Sequence, residues 1–318
     1  MGGRSSTPEE YRSYYSTNSH ITKATNASQV FRSSRMAPEF DPSQMKLPRE
    51  ACDSAESPHS RGIVFAEDVT GSMDWAVLNL IQKQFPRLIE QTYESVSYNP
   101  HIMFMAVGDA AASDRAPLQV TQFEADLRML EQLQKIWLEG RGGGNHYESY
   151  ILPWYFAAKH IRMDCWEKRG EKGFLFTFGD EEPTPHLTQA EIRKVFGNNS
   201  SIQQRMLTGY ECLEMASEKF NCYHVILHGS YYTYHSSEVV SKWKQLMGGH
   251  ACDLSDHTKL PELVTTILRM HEGLTKTQAL AGIQDEHARM IVASALCDHE
   301  EVVENTSVAG THAPIEVF

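Results

Sequence analysis

The sequence predicts an α/β protein built on a doubly wound, mostly parallel sheet flanked by helices, with N- and C-terminal extensions. Three observations predict it. From Gly62 onward, strand-like runs alternate with helix-like stretches, the pattern that right-handed βαβ units impose. The runs themselves, such as Ile63-Val64-Phe65-Ala66 and Ile102-Met103-Phe104-Met105-Ala106-Val107, are apolar without alternation, as expected of strands covered on both faces. The stretches between them carry apolar residues at spacings of three and four, which places one apolar stripe on each helix.

Residues 1–60 hold many Ser, Pro, Arg and Thr and little periodicity. They read as a polar extension, disordered or lying along the domain, with Val30, Phe31, Met36 and Phe40 as anchors. The domain itself spans 61–273. After the first strand, Trp75, Leu78, Ile81, Phe85, Leu88 and Ile89 mark a helix that Pro86 is expected to kink. A second strand covers 102–107 and an edge strand 118–121. Leu127, Leu130, Leu133, Ile136 and Trp137 predict a helix closed by Gly140. A helix over 147–161 follows the Gly142-Gly143-Gly144 run, and its Trp154-Tyr155-Phe156 stretch is expected to turn one ring outward. The next strand covers 173–178. Thr188 with Glu191, and Thr208 with Glu211, have capping-box spacing and so start two helices. A strand over 223–227, a helix over 238–247, a strand-like segment at 251–254 and a helix over 260–270 complete the domain. Residues 274–318 predict an appended helix over 277–296 and a loose tail.

Composition narrows the function classes. The chain has 318 residues, 41% of them hydrophobic, and a formal net charge of −12, enough apolar material for a large core. No run of Lys or Arg exceeds two, which argues against a nucleic-acid partner. No apolar stretch approaches the roughly 18–20 residues that cross a bilayer, which argues against a membrane protein. The first nineteen residues are polar, without the apolar centre of a signal peptide, and the six cysteines form no C-x-x-C pair. A cytoplasmic protein with reduced thiols is expected.

The most informative residues follow the first strand: Ala66-Glu67-Asp68-Val69-Thr70-Gly71-Ser72-Met73. In an open parallel sheet, ligands bind beyond the C-terminal strand ends. Asp68, Thr70 and Ser72 offer one carboxylate and two hydroxyls at alternate positions of a turn, the oxygen donors that hard cations such as Mg²⁺ take. The plainer alternative is a strand-to-helix turn with Thr70 or Ser72 as N-cap. Two later segments favour the site: Gly179-Asp180 closes another buried strand at the same edge, and Arg141-Gly142-Gly143-Gly144-Asn145-His146-Tyr147-Glu148 lies between them.

With these residues the chain resembles the von Willebrand factor type A family. Residues 68–73, Asp-x-Thr-Gly-Ser-Met, are similar to that family's metal-ion-dependent adhesion site, normally Asp-x-Ser-x-Ser, and the order of elements is similar over about 61–272. The resemblance implies that Thr70 and Ser72 ligate Mg²⁺ or Mn²⁺ directly and that Asp68 does so directly or through water. Asp180 takes the family's second acidic position. The Thr usually supplied by the middle loop is absent here, and Asn145 or Glu148 is expected to replace it. A Glu148 ligand would add charge and make an acidic partner residue a poorer sixth ligand. The implied function is a metal-dependent protein-protein interaction module without catalysis, serving a protein partner such as an AAA+ ATPase or a larger assembly.

An enzymatic alternative starts from the same aspartate. Asp68-Val69-Thr70-Gly71 also looks like the nucleophile motif of haloacid-dehalogenase-type phosphatases, with Asp68 attacking phosphorus and Asp109 and Asp114 as the acidic metal motif. In that family the acidic motif comes late, whereas Asp109 follows on the next strand. Asp109, Asp114 and Glu124 otherwise read as an acidic rim or a solvated loop. Glu181 and Glu182 extend the negative potential around Asp180. His224, His228, His250, Cys252 and His257 lack metal-ligand spacing and read as packing or surface residues.

Overall fold

The computed structural model describes residues 5–112, 114–139, 147–200 and 205–299, with the side chains of Pro8, Ser72 and Asp74 excepted. Six strands form the central sheet: β1 (Ser60–Asp68), β2 (Asn99–Val107), β3 (Leu118–Val120), β4 (Gly173–Gly179), β5 (Phe220–Leu227) and β6 (Ala251–Leu254). Their spatial order is 3-2-1-4-5-6, parallel except for the antiparallel edge strand β3. This is the doubly wound arrangement, and the chain changes direction across the sheet between β1 and β4.

The apolar runs of the strands bury both faces. Phe65 stacks on Phe104 and Phe176 at centroid distances of 6.0 and 5.7 Å on one face. Val64 and Ala66 point to the other face, where Tyr150, Trp154 and Trp243 pack. Trp154, Tyr155 and Phe156 are all buried, so the expected outward ring does not occur. Their helix, Ile151–His160, is enclosed on more than one side: Trp154 meets Trp243, and Tyr155 and Phe156 meet Phe196.

The kink at Pro86 is a π-helical turn, Leu80–Gln84, between the helices Asp74–Asn79 and Phe85–Ser95. The Phe85 N–H donates to the Leu80 carbonyl, five residues back. By the same stagger the Ile81 carbonyl would need the N–H of residue 86, which proline lacks. The Tyr15 hydroxyl supplies the donor instead, at 2.7 Å. Tyr15 belongs to the N-terminal helix Pro8–Thr17. Tyr11, Tyr15, Ile21, Val30, Phe31 and Phe40 are all buried in the main core cluster, so this extension packs on the domain.

Several predicted helices have different bounds. The helix expected to reach Trp137 is only Arg128–Leu133, because the Gln119 side chain holds both the N–H and the carbonyl of Trp137 (2.9 and 2.8 Å). Its expected terminator, Gly140, lies outside the described residues. The helix expected over 238–247 begins earlier, at Ser230, and runs to Met247 with a break at His235. Its first turns are aromatic and polar and carry no apolar stripe. The C-terminal helix is two, Lys276–Ala281 and Glu286–Ala295. Asp285 separates them by accepting the backbone N–H groups of His287 and Ala288.

Both predicted capping boxes form. Thr188 and Thr208 also lie in a small antiparallel ribbon, His186–Thr188 with Met206–Thr208, and cap the helices Gln189–Phe196 and Gly209–Ser217. Thr188→Ala should lower the unfolding free energy by about 1 kcal/mol, read as a shifted midpoint in a urea titration. An unchanged midpoint would mean that the box contributes nothing.

Candidate functional site

Strand β1 ends on Asp68 and β4 on Gly179, so Asp68 and Asp180 emerge side by side at the C-terminal edge, at the switch point of the sheet. Asp68 is 0% exposed. Its Oδ1 accepts the Thr70 N–H at 2.9 Å and the Thr70 hydroxyl at 2.6 Å, a turn held by the aspartate side chain. A hydroxyl that gives its proton to a carboxylate is an acceptor toward other neighbours. Asp68 Oδ2 accepts the Tyr150 hydroxyl at 2.7 Å. Ser72 lies in the short turn Gly71–Met73, and its side chain is outside the described residues.

Asp180 is also 0% exposed. Its Oδ2 accepts the N–H of Tyr231, at the start of the helix Ser230–Met247, at 2.9 Å, while its Oδ1 has no hydrogen-bond partner among the described residues. Glu148 is 2% exposed, and its Oε2 likewise has no partner among the described residues.

Glu148 is not in a helix, contrary to the expected helix over 147–161. Tyr147 forms a parallel bridge with Glu182, the Ser149 N–H donates to the Gly108 carbonyl, and the Ser149 hydroxyl accepts the N–H of Ala110. These bonds tie residues 147–149 to the segments that follow β2 and β4 and keep them out of the helix. The helix therefore starts at Ile151. Asn145 lies outside the described residues.

The rim differs from expectation too. Asp109 and Asp114 are buried, not solvated. The Asp109 N–H donates to Asp114 Oδ2, and Asp109 Oδ1 accepts from Ala111. Glu124 pairs with Arg128 beside Ile102, toward the other end of β2, and is no part of the rim. Glu182 pairs with Lys242, so its charge is compensated. Glu181 stays half-buried, its Oε2 without a partner among the described residues.

The electrostatics follow from burial without compensation. Burial raises the carboxyl pKa of Asp68, and the charge of Asp180 adds to it against the bonds from Thr70 and Tyr150. Burial raises Asp180. Burial, then the charges of Asp68 and Asp180, pushes Glu181 up to about 8. Glu148 is raised strongly by burial and by Asp68, Glu181 and Asp109. Among the described residues no lysine or arginine pairs with Asp68, Glu148, Asp180 or Glu181. No three His, Cys, Asp or Glu side chains among them are grouped to hold an ion alone. A cation here would need hydroxyl oxygens and side chains such as Ser72 and Asn145 as well.

Three residues that complete this arrangement have no signal of their own in the sequence: Tyr150, Gly179 and Gly229. His224, by contrast, is the packing residue expected, buried against Trp243 with Nδ1 bonded to Thr177.

No family model matches the chain, and no curated protein matches it. It is similar to solved structures at low identity. One is the pilus adhesin SpaC from Lactobacillus rhamnosus GG in its open conformation, at 8% identity and a TM-score of 0.42, covering 67% of this chain and 30% of the adhesin. A second structure of that adhesin has 9% identity and a TM-score of 0.41, with the same coverage of 67% and 30%. Proximal thread matrix protein 1 from the mussel byssus has 9% identity and a TM-score of 0.35, covering 66% of this chain and 48% of that protein. This chain thus spans less than half the length of each. Likeness at these TM-scores says nothing of function, metal or partner. Among the described residues, no helix is long and apolar enough to cross a membrane.

Proposed function

We propose that the chain is a metal-dependent protein-protein interaction module of the von Willebrand factor type A kind, with a variant adhesion site. Asp68, Thr70 and Ser72 would hold Mg²⁺ or Mn²⁺ from the loop after β1 and Asp180 from the loop after β4, with Glu148 or Asn145 replacing the middle-loop Thr. The observation that carries this reading is a set of acids at the switch point, three of them with oxygens that have no partner among the described residues: Asp180 Oδ1, Glu148 Oε2 and Glu181 Oε2. Buried polar atoms without partners are costly, and a bound cation removes that cost while offering an open position to a partner's oxygen. The module has no catalytic role in this reading. It acts in the cytoplasm as an adaptor, for an AAA+ ATPase or another large assembly.

The test is calorimetric. Mg²⁺ titrated into the wild type should bind, and binding should vanish in Asp68→Ala. Equal binding by both proteins would place any cation elsewhere. A pull-down with the intact protein should then lose its partner in EDTA and with Asp68→Ala alike.

A further inference from the structure

We propose that Tyr150 is the positioning residue of this site, its hydroxyl standing in for the missing middle-loop hydroxyl by holding the Asp68 carboxylate in the orientation that meets a cation. The inference rests on the metal-binding reading above. Tyr150 is completely buried and directly follows Glu148 and Ser149 in the middle loop. Its hydroxyl donates to Asp68 Oδ2 at 2.7 Å and accepts the Glu181 N–H at 3.4 Å. One oxygen from the middle loop therefore spans the loops after β1 and β4.

The ring cannot swing away. It lies edge-on to His224 and Trp243, with centroids 5.2 and 5.6 Å distant. The sheet has made room for it. A Cβ on Gly179 would lie 2.1 Å from the Tyr150 hydroxyl oxygen and 2.5 Å from Cζ and Cε1. Glycine weakens a central strand and there marks a close approach. Here the approaching group is the phenol.

Asp68 Oδ1 is already taken twice by Thr70, so Oδ2 is the oxygen with capacity left for an ion. A single donor fixed on Oδ2 sets the rotation of the carboxylate and leaves the remaining lone pair in a defined direction. Groups that orient a metal-binding side chain in this way typically change metal affinity ten- to a hundredfold.

The experiment is calorimetry with Mg²⁺ and with Mn²⁺ on the full chain. Tyr150→Phe keeps the ring and its packing and removes only the oxygen; it should weaken both ions about tenfold or more. Gly179→Ala keeps the oxygen but displaces it, and should weaken them at least as much. The double variant should bind no more weakly than Gly179→Ala alone, since both changes act through one hydroxyl. Tyr155→Phe, a hydroxyl removed from the next turn, should leave affinity unchanged. Wild-type affinity in Tyr150→Phe, alongside lost binding in Asp68→Ala, would overturn the positioning role and leave the metal site standing. Additive losses in the double variant would also overturn it, as two separate structural defects. No binding of either ion to the wild type would remove the metal reading and this role with it.

Discussion

Magnesium should raise the melting temperature of this protein by several degrees at about pH 8 and by little at about pH 5. The acids of the site set that slope. In the metal-free folded protein, Asp68, Glu148, Asp180 and Glu181 all hold their protons to higher pH than ordinary carboxyls do, chiefly through burial. The unfolded chain releases the same protons near pH ~4. Above that, the folded state binds more protons than the unfolded one, so stability falls as pH rises. For Glu181 the loss runs through its folded value of about 8.

Buried histidines act with the opposite sign. His101 and His160, lowered to about 4 mainly by burial, contribute fully above pH ~6.5 and lose that contribution as pH falls toward their folded values. Below neutrality the two classes oppose each other. Above it, of these two classes, only the acids still titrate, and the metal-free protein weakens. An ion held by ionised acids must displace their protons, so its affinity climbs with pH. At a hundred times Kd a ligand stabilises by about 2.7 kcal/mol, worth about 4 °C in a chain of this size. Scanning calorimetry in millimolar Mg²⁺ against EDTA, at both pH values, reads the difference and cancels the histidines. Equal shifts at the two pH values, or none at the higher one, would remove the acids from any cation site.

The parts of this site that were legible in the sequence lie where a local pattern decides the structure. Unbroken apolar runs placed β1, β2, β4 and β5, and a polar residue closing a run put Asp68 and Asp180 at one edge. Thr188 and Thr208 announced their helices by a carboxylate three residues on. Where a distant group decides, the local pattern misleads. Residues 147–149 continue the spacing of the following helix, yet backbone bonds to the segments after β2 and β4 keep them out of it. The π-helical turn before Pro86 depends on Tyr15, 66 positions away. Tyr150 carries no local signal, and only the folded sheet brings its hydroxyl to Asp68 across 82 positions. The three-residue strands Arg49–Ala51 and Ile161–Met163, which pair with each other, are too short to show any period.

Gly229→Ala should destabilise the protein by about 2–3 kcal/mol, near the top of the range for overpacking, and should weaken Mg²⁺ binding at least tenfold. Gly229 links β5 to the helix Ser230–Met247. Its φ of −83° admits alanine, so the penalty comes from contact alone. A Cβ there would lie 2.3 Å from Oδ2, 2.7 Å from Cγ and 2.9 Å from Cβ of Asp180. The aspartate cannot retreat, because it is fully buried with Oδ2 held by the Tyr231 N–H, and the residue before it, Gly179, is pressed against Tyr150. Either the helix start or the end of β4 must move, and both carry the Asp180 carboxylate. Gly248→Ala is the matched control. Its φ of +57° with ψ of −133° strains an alanine, but nothing lies within 4 Å of the added Cβ, so it should cost about 1–3 kcal/mol and leave the metal affinity alone. Urea titration and calorimetry on both variants separate the effects. If Gly229→Ala lost stability yet bound Mg²⁺ like the wild type, Asp180 would hold the helix and not the ion.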